Sequence, residues 1–273
     1  MEHLSVKTSR TRLQRFGEIL VFPLNLLASA VELVFCIPWI GRLIKWLWNS
    51  LLTGLHFIFG MLEHLAWMVG FHPMKKLKVG VVVLSGPDQH PLADTEKILQ
   101  ALERTAEIFH SKARVQLVPA FRPTNARAHS KDPHLRWVQV AEYAESKQIL
   151  DLGCNLQAIW EDLHLAGARI QLVSLRRMFA TAFRRVSGYG APVTILVVRR
   201  VGGIGGCSLG WFSDYVTIPP RGLRCIPHEL GHALGLFHRN DPQNLLYPRD
   251  CSVSELTPWQ VAVIRSSRHV TYF

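Results

Sequence analysis

Eleven residues in the last fifth of the chain constrain its local fold and chemistry more than any other feature. They run from His228 to His238 and read H-E-L-G-H-A-L-G-L-F-H. His228 and His232 are four residues apart, so on a helix both imidazoles project from one face and can bind one metal ion. The spacing therefore predicts a helix that carries two metal ligands.

The rest of the motif supplies the other parts of a catalytic metal site. Gly235 can adopt the left-handed backbone conformation that ends a helix, and the following turn can bring His238 to the metal as a third ligand. Three neutral imidazoles leave the fourth position of a zinc ion open for water, which is typical of catalytic sites. Glu229 lies beside them, where its carboxylate can take a proton from that water. The motif predicts one catalytic Zn²⁺ with Glu229 as the base.

H-E-x-x-H-x-x-G-x-x-H followed by a tight turn resembles the signature of the metzincins, a family of zinc metallopeptidases. In that family a methionine-containing turn lies beneath the zinc site. The corresponding residues here are Leu246, Tyr247 and Pro248, within a sequence close to the N-L-M-Y-P form of some bacterial matrixin-like members. Leu246 stands at the methionine position and has a similar volume, and the family methionine is not a ligand. Tyr247 either assists catalysis or simply packs.

The resemblance implies a fold and a function. The fold is of the α/β (α+β) class, a mixed twisted sheet with an active-site helix and a C-terminal helix. The function is a zinc-dependent endopeptidase that hydrolyses a protein or peptide substrate through a zinc-bound water activated by Glu229. An antiparallel edge strand is expected to pair with extended substrate, and its residues would be Cys207, Ser208, Leu209, Gly210 and Trp211. The alternative is a catalytically silent, zinc-binding membrane interaction protein.

Residue patterns elsewhere are compatible with that fold. β-branched runs predict strands, and a 3.6-residue period after a capping residue predicts helices. The predicted strands are Val79–Leu84, Val115–Val118, Arg169–Val173, Val193–Val198 and Tyr215–Ile218. Helices are expected after Asp94, over about 141–163 and 175–185, and from a capping box that begins at Thr257. Pro227 precedes the first ligand, so the active-site helix is expected to begin late or to bend there.

The N-terminal part of the chain is apolar. Two runs, Gly17–Gly41 and Leu43–Phe71, are each long enough to cross a bilayer, which takes about 20 residues. Polar residues within each run share one helix face: Glu18, Asn25, Ser29 and Glu32 in the first, and Lys45, Asn49, His56, Gly60 and Glu63 in the second. We therefore predict a membrane-associated helical hairpin in residues 1–73, followed by a catalytic domain in residues 74–273. The polar stripes would meet inside a spanning hairpin, lie in the headgroup plane, or be buried against the catalytic domain.

The chain has a formal net charge of +11, and seven of its basic residues flank the apolar segment. The flanking basic residues are Lys7, Arg10, Arg12, Arg15, Lys75, Lys76 and Lys78. Anionic lipid headgroups attract such residues, and no motif that reads RNA or DNA is present. The expected partner is therefore membrane lipid, through residues 16–71, and not nucleic acid. If both runs span, the positive-inside rule weakly favours a cytoplasmic catalytic domain, whereas one span would place it outside.

Five cysteines are too few and too scattered for a disulfide scaffold. Cys207, Cys225 and Cys251 flank the histidine motif, and one bridge among them is conceivable in an oxidising compartment. Free buried thiols are the interpretation that we favour from the sequence.

Overall fold

The computed structural model describes residues 40–121, 133–145, 190–201, 205–208 and 215–272, together with residues 30, 34 and 37. In these ranges the α-helices are α1 (Ile40–Met68), α2 (Thr95–Ala113), α3 (Ile226–Ala233) and α4 (Pro258–Ser266). The strands are β1 (Lys75–Ser85), β2 (Val115–Pro119), β3 (Val138–Glu145), β4 (Val193–Val197), β5 (Cys207–Ser208), β6 (Tyr215–Ile218) and β7 (Val270–Thr271). Short 3-10 helices span Pro133–Arg136 and Pro220–Cys225.

These strands form one mixed sheet in the order β2-β1-β4-β6-β5, with β3 and β7 also paired to β1. β1 is 11 residues long, so its first half pairs with β2 and its second half with β3. The pairs of β1 with β2, β3 and β4, and of β4 with β6, are parallel, whereas β5 and β7 run antiparallel to their neighbours. The mixed α/β (α+β) sheet predicted from the sequence is confirmed.

Strong local signals produced the expected elements. β4 is buried at all five residues, as its continuous run of apolar and β-branched residues predicted. The Asp94 side chain caps α2 by accepting a hydrogen bond of 2.9 Å from the Glu96 amide. Thr257 and Gln260 form the capping box that begins α4. Of these three elements, α2 packs directly against α3, the helix that carries the histidine motif.

The prediction of a helix over about 141–163 is wrong for its first residues. Residues 141–145 belong to β3, which pairs in parallel with the second half of β1, with Val138 opposite Val81. Ala and Glu in this segment favour a helix locally, but the open edge of β1 beyond β2 offers main-chain hydrogen bonds that outweigh that preference. The rest of this predicted helix, the strand at 169–173 and the helix at 175–185 lie outside the described residues.

The second apolar run forms α1, whereas the first lies almost wholly outside the described residues. Glu63 of α1 forms an ion pair with Lys75, accepts a hydrogen bond of 2.7 Å from the Tyr272 hydroxyl and lies 3.2 Å from the Arg265 Nε atom. Of the polar stripe in this run, Glu63 is the residue whose side chain the structure describes, and it packs against the rest of the protein, as in the third arrangement open from the sequence. Nowhere in the described part of the chain does a helix combine the length and apolar character needed to cross a membrane.

Candidate metal centre

The helix that carries the motif is short because of the residues at its two ends. α3 begins at Ile226, directly after a 3-10 helix, and Pro227 lies in its first turn, where the missing N–H costs no intrahelical bond. Gly235, with a φ of 100°, follows its last turn. The Leu236 amide donates to the Gly231 carbonyl at 3.0 Å, which closes the helix in a Schellman motif. The chain thereby reverses and returns His238 towards the helix.

The three histidines of the motif converge on one point. The Nε2 atom of His228 lies 3.2 Å from that of His238 and 3.2 Å from that of His232, and the latter two are 3.1 Å apart. A tetrahedral zinc ion with Zn–N bonds of about 2.0–2.1 Å holds its nitrogen ligands about 3.3 Å from one another. The triangle therefore has the dimensions of a zinc site, and among the described residues this is the group that could hold a metal ion.

Hydrogen bonds on the far side of the rings fix which nitrogen is available to a metal. Nδ1 of His228 lies 2.8 Å from the Leu245 carbonyl oxygen, and Nδ1 of His232 lies 2.8 Å from that of Leu236. A carbonyl only accepts, so each Nδ1 carries the proton and each Nε2 directs its lone pair at the centre. Lone pairs facing one another at this distance are stable only around a shared cation or proton. The donor set fits zinc.

Burial keeps these imidazoles neutral. Desolvation lowers the pKa of His232 to about 4, against a smaller upward effect of its bond to Leu236. Desolvation likewise lowers the pKa values of His228 and His238. A neutral imidazole is the form that binds a metal, so the site is ready for a cation at neutral pH.

Glu229 is buried beside the ligands. Only 6 % of its surface is exposed, and desolvation raises the pKa of its carboxyl to about 8. The backbone of Gly206 packs directly against it: a Cβ atom at this position would lie 2.7 Å from Cγ and 3.0 Å from Oε1 of Glu229. A bound cation beside the carboxyl would stabilise its ionised form. The carboxyl is therefore held in a narrow space between α3 and the residue that precedes β5.

The turn after the motif packs against α3. Leu246 is fully buried, and its Cδ2 atom would lie 3.0 Å from a Cβ placed on Gly231 of α3. Tyr247 is half-buried and Pro248 is exposed. Leu246 is thus an apolar side chain packed against the helix that carries the motif.

A pair of buried amides that sequence reasoning missed holds this turn. Asn244 Nδ2 donates to Gln260 Oε1 at 2.8 Å, and Gln260 Nε2 donates back to Asn244 Oδ1 at 2.9 Å. Asn244 Oδ1 also accepts from the Leu246 amide at 3.1 Å. The only signals in the sequence were the asparagine that begins N-L-L-Y-P and the glutamine of the capping box, and nothing in their spacing indicated that they meet.

The expected substrate strand is described in part. Cys207 and Ser208 form β5, which pairs antiparallel with β6 at the end of the sheet. Leu209, Gly210 and Trp211 lie outside the described residues. Gly206, which precedes β5, lies against the Glu229 side chain.

The preference for free thiols is wrong for Cys207, Cys225 and Cys251, which are all disulfide-bonded. Cys225 and Cys251 form a disulfide, with Cα atoms 4.9 Å apart. Cys225 directly precedes α3, and Cys251 follows the turn. The Arg104 guanidinium of α2 donates a hydrogen bond of 3.3 Å to the Cys251 carbonyl oxygen. The two cysteines are 26 residues apart, so only the return of the chain after the turn brings them together.

Comparison with protein-family models and with curated proteins finds no match. Among solved structures, the chain is similar to metalloproteinase-II from Bacteroides fragilis, with 12 % sequence identity and a TM-score of 0.37. The similarity covers 71 % of this chain and 53 % of the other, so it spans about half of that protein. A likeness this distant supports no argument about function. What the chain itself shows is a mixed α/β (α+β) fold with three histidines arranged to bind a metal ion.

Proposed function

We propose that this protein is a zinc-dependent endopeptidase of the metzincin type, similar to the bacterial matrixins. The observation that carries the proposal is the triangle of Nε2 atoms 3.1–3.2 Å apart, beside the buried carboxyl of Glu229. His228, His232 and His238 would hold one Zn²⁺. Three histidine ligands leave room for a fourth, exchangeable one, as a hydrolytic site requires.

A zinc ion held here would supply Lewis acidity: it lowers the pKa of water towards about 7 and polarises a peptide carbonyl. Glu229 accepts the proton of the attacking water and then donates a proton to the leaving amine. Burial destabilises the ionised carboxylate relative to the neutral acid, which makes it a stronger base towards the attacking water. Gly206 keeps the carboxyl in place by close contact.

We further propose that the substrate lies alongside β5. An extended peptide would add to the sheet beyond this strand through main-chain hydrogen bonds, and the scissile bond would lie near Glu229, because Gly206 directly precedes β5. Cys207 and Ser208, together with Leu209, Gly210 and Trp211, are the residues proposed for this role.

The proposed domain organisation is a membrane-associated segment in residues 1–73 and a catalytic domain in residues 74–273. The Cys225–Cys251 disulfide supports a location of the catalytic domain in an oxidising compartment, because thiols in the cytosol are kept reduced. The disulfide outweighs the weak charge preference for the cytoplasmic side.

The test uses Glu229→Ala, with Glu107→Ala on the exposed surface of α2 as the matched control. Glu229→Ala should retain zinc but lose peptide hydrolysis by at least about 100-fold in kcat/KM on a peptide library, and a chelator should abolish wild-type activity. Hydrolysis by Glu229→Ala at the wild-type rate would refute the role of the base. A wild-type protein that binds zinc but cleaves nothing would favour the silent interaction protein instead.

A further inference from the structure

One face of α1 is apolar and open to solvent along its whole length. Leu51, Leu55, Ile58, Leu62 and Leu65, at alternating spacings of four and three residues, lie on this face with 41–66 % of their surfaces exposed. In an ordinary surface helix the apolar side faces the core and the polar side faces solvent. In α1 this apolar side faces solvent instead.

The apolar face is wider than the seam of a coiled coil. Neighbouring residues Leu47 and Trp48, and likewise Met61 and Leu62, are all exposed, so the apolar surface extends around nearly half of the helix. It continues past the helix end at Phe71, which is 62 % exposed. A surface this broad suits a fluid apolar environment better than a single partner helix.

The opposite side of α1 is fixed against the protein. Glu63 contacts Lys75, Arg265 and Tyr272, and Arg265 is almost completely buried. The Arg265 guanidinium also lies 5.7 Å from the centre of the Trp67 ring. Rotation of α1 to hide its apolar face would remove Glu63 from both cations and leave buried charges unpaired, at a high energetic cost. The exposed orientation is therefore built into the fold.

We propose that the apolar face of α1 binds a lipid bilayer, lying in the interfacial plane with its axis along the surface. The sequence carries a formal net charge of +11, with basic residues on both sides of the apolar segment, and Lys76 just beyond α1 is exposed. Anionic headgroups complement that charge, whereas a second copy of the chain would repel it. The inference is independent of the proposed peptidase activity.

The experiment is flotation of the full chain, synthesised without detergent in the presence of vesicles that contain phosphatidylcholine and about one quarter phosphatidylglycerol. The test variant carries Ile58→Gln, Leu62→Gln and Leu65→Gln, which leave the charge unchanged. The matched control carries Ile58→Leu, Leu62→Met and Leu65→Met at the same positions. Wild type and control should float with the vesicles, and the glutamine variant should partition at least about tenfold less.

Three results would overturn the proposal. A wild type that does not float would show that the chain does not bind this bilayer. A glutamine variant that floats as well as wild type would assign the lipid contact to another segment. The third result is a wild type that sediments as a dimer while the glutamine variant is a monomer with unchanged vesicle binding. That outcome would assign the face to a second copy of the chain.

Discussion

Gly206 is the residue whose size most directly limits the space around Glu229. Gly206→Ala would place a methyl group 2.7–3.0 Å from three atoms of the Glu229 side chain, closer than real Cβ contacts allow. The carboxyl must then move, so we expect kcat/KM for peptide hydrolysis to fall at least about tenfold, and stability to fall by about 1–3 kcal/mol. Peptide kinetics, zinc content and denaturant unfolding measure these effects.

Gly54 of α1 provides the control for that substitution. A Cβ atom at Gly54 has nothing within 4 Å, and alanine favours a helix by about 0.5–1 kcal/mol over glycine. Gly54→Ala should therefore leave both zinc binding and hydrolysis at the wild-type level. If Gly206→Ala hydrolysed peptides as fast as Gly54→Ala, the close contact with Glu229 would have no part in positioning the base.

The turn and α4 together support His228, one of the three proposed metal ligands. The Asn244–Gln260 pair holds the turn, and the Leu245 carbonyl within it accepts the hydrogen bond from His228 Nδ1. Gln260→Ala should therefore weaken zinc binding by about 10–100-fold, as loss of an outer hydrogen-bonding partner does. Competition with a chromogenic chelator measures the affinity. The control is Gln100→Ala on the exposed face of α2, and equal affinity of the two variants would disprove the positioning role.

The disulfide links the start of α3 to the segment after the turn. Opening this 26-residue loop should cost about 3 kcal/mol, mainly through the added freedom of the unfolded chain. Cys225→Ser and Cys251→Ser should each lower the free energy of unfolding by this amount, and the double variant should lose no more than either single one. Additive losses would mean that the two cysteines stabilise the protein separately and are not bridged.

On the scale of the whole molecule, the ion cluster at Glu63 ties α1 to α4 and the sheet. Burial tends to raise the pKa of the Glu63 carboxyl, but hydrogen bonds from Lys75 and Tyr272 and the charges of Lys75 and Arg265 outweigh it and hold the pKa below its usual value of 4.5. A depressed pKa contributes stability above pH 4.5, and that contribution is lost as the pH falls through the folded-state value.

Glu63→Gln should therefore lower the melting midpoint by at least about 2 °C at pH 7, and the difference from wild type should shrink below pH 4.5. Thermal melts across that range measure it, with Glu107→Gln on α2 as the control. A difference that stays constant with pH would show that the Glu63 charge contributes nothing.

Local signals in the sequence predicted much of this molecule. The apolar run of β4, the Asp94 cap and the capping box at Thr257 each depend on neighbouring residues, and the spacing of the histidines follows from helix geometry. The strand β3, the disulfide and the Asn244–Gln260 pair depend on contacts between distant segments. Sequence patterns do not encode which distant edge or side chain a segment will meet, so these features became visible only in the fold.

The central claim is that three imidazoles of this chain share one metal ion. Zinc content per folded chain, measured after dialysis against trace zinc, tests it directly for wild type, His232→Ala, His238→Ala and the control His90→Ala, which changes an exposed histidine away from the motif. Wild type and His90→Ala should hold about one zinc ion per chain, and the other two variants should hold almost none. A wild type without zinc, or a full equivalent of zinc in His232→Ala, would contradict the claim.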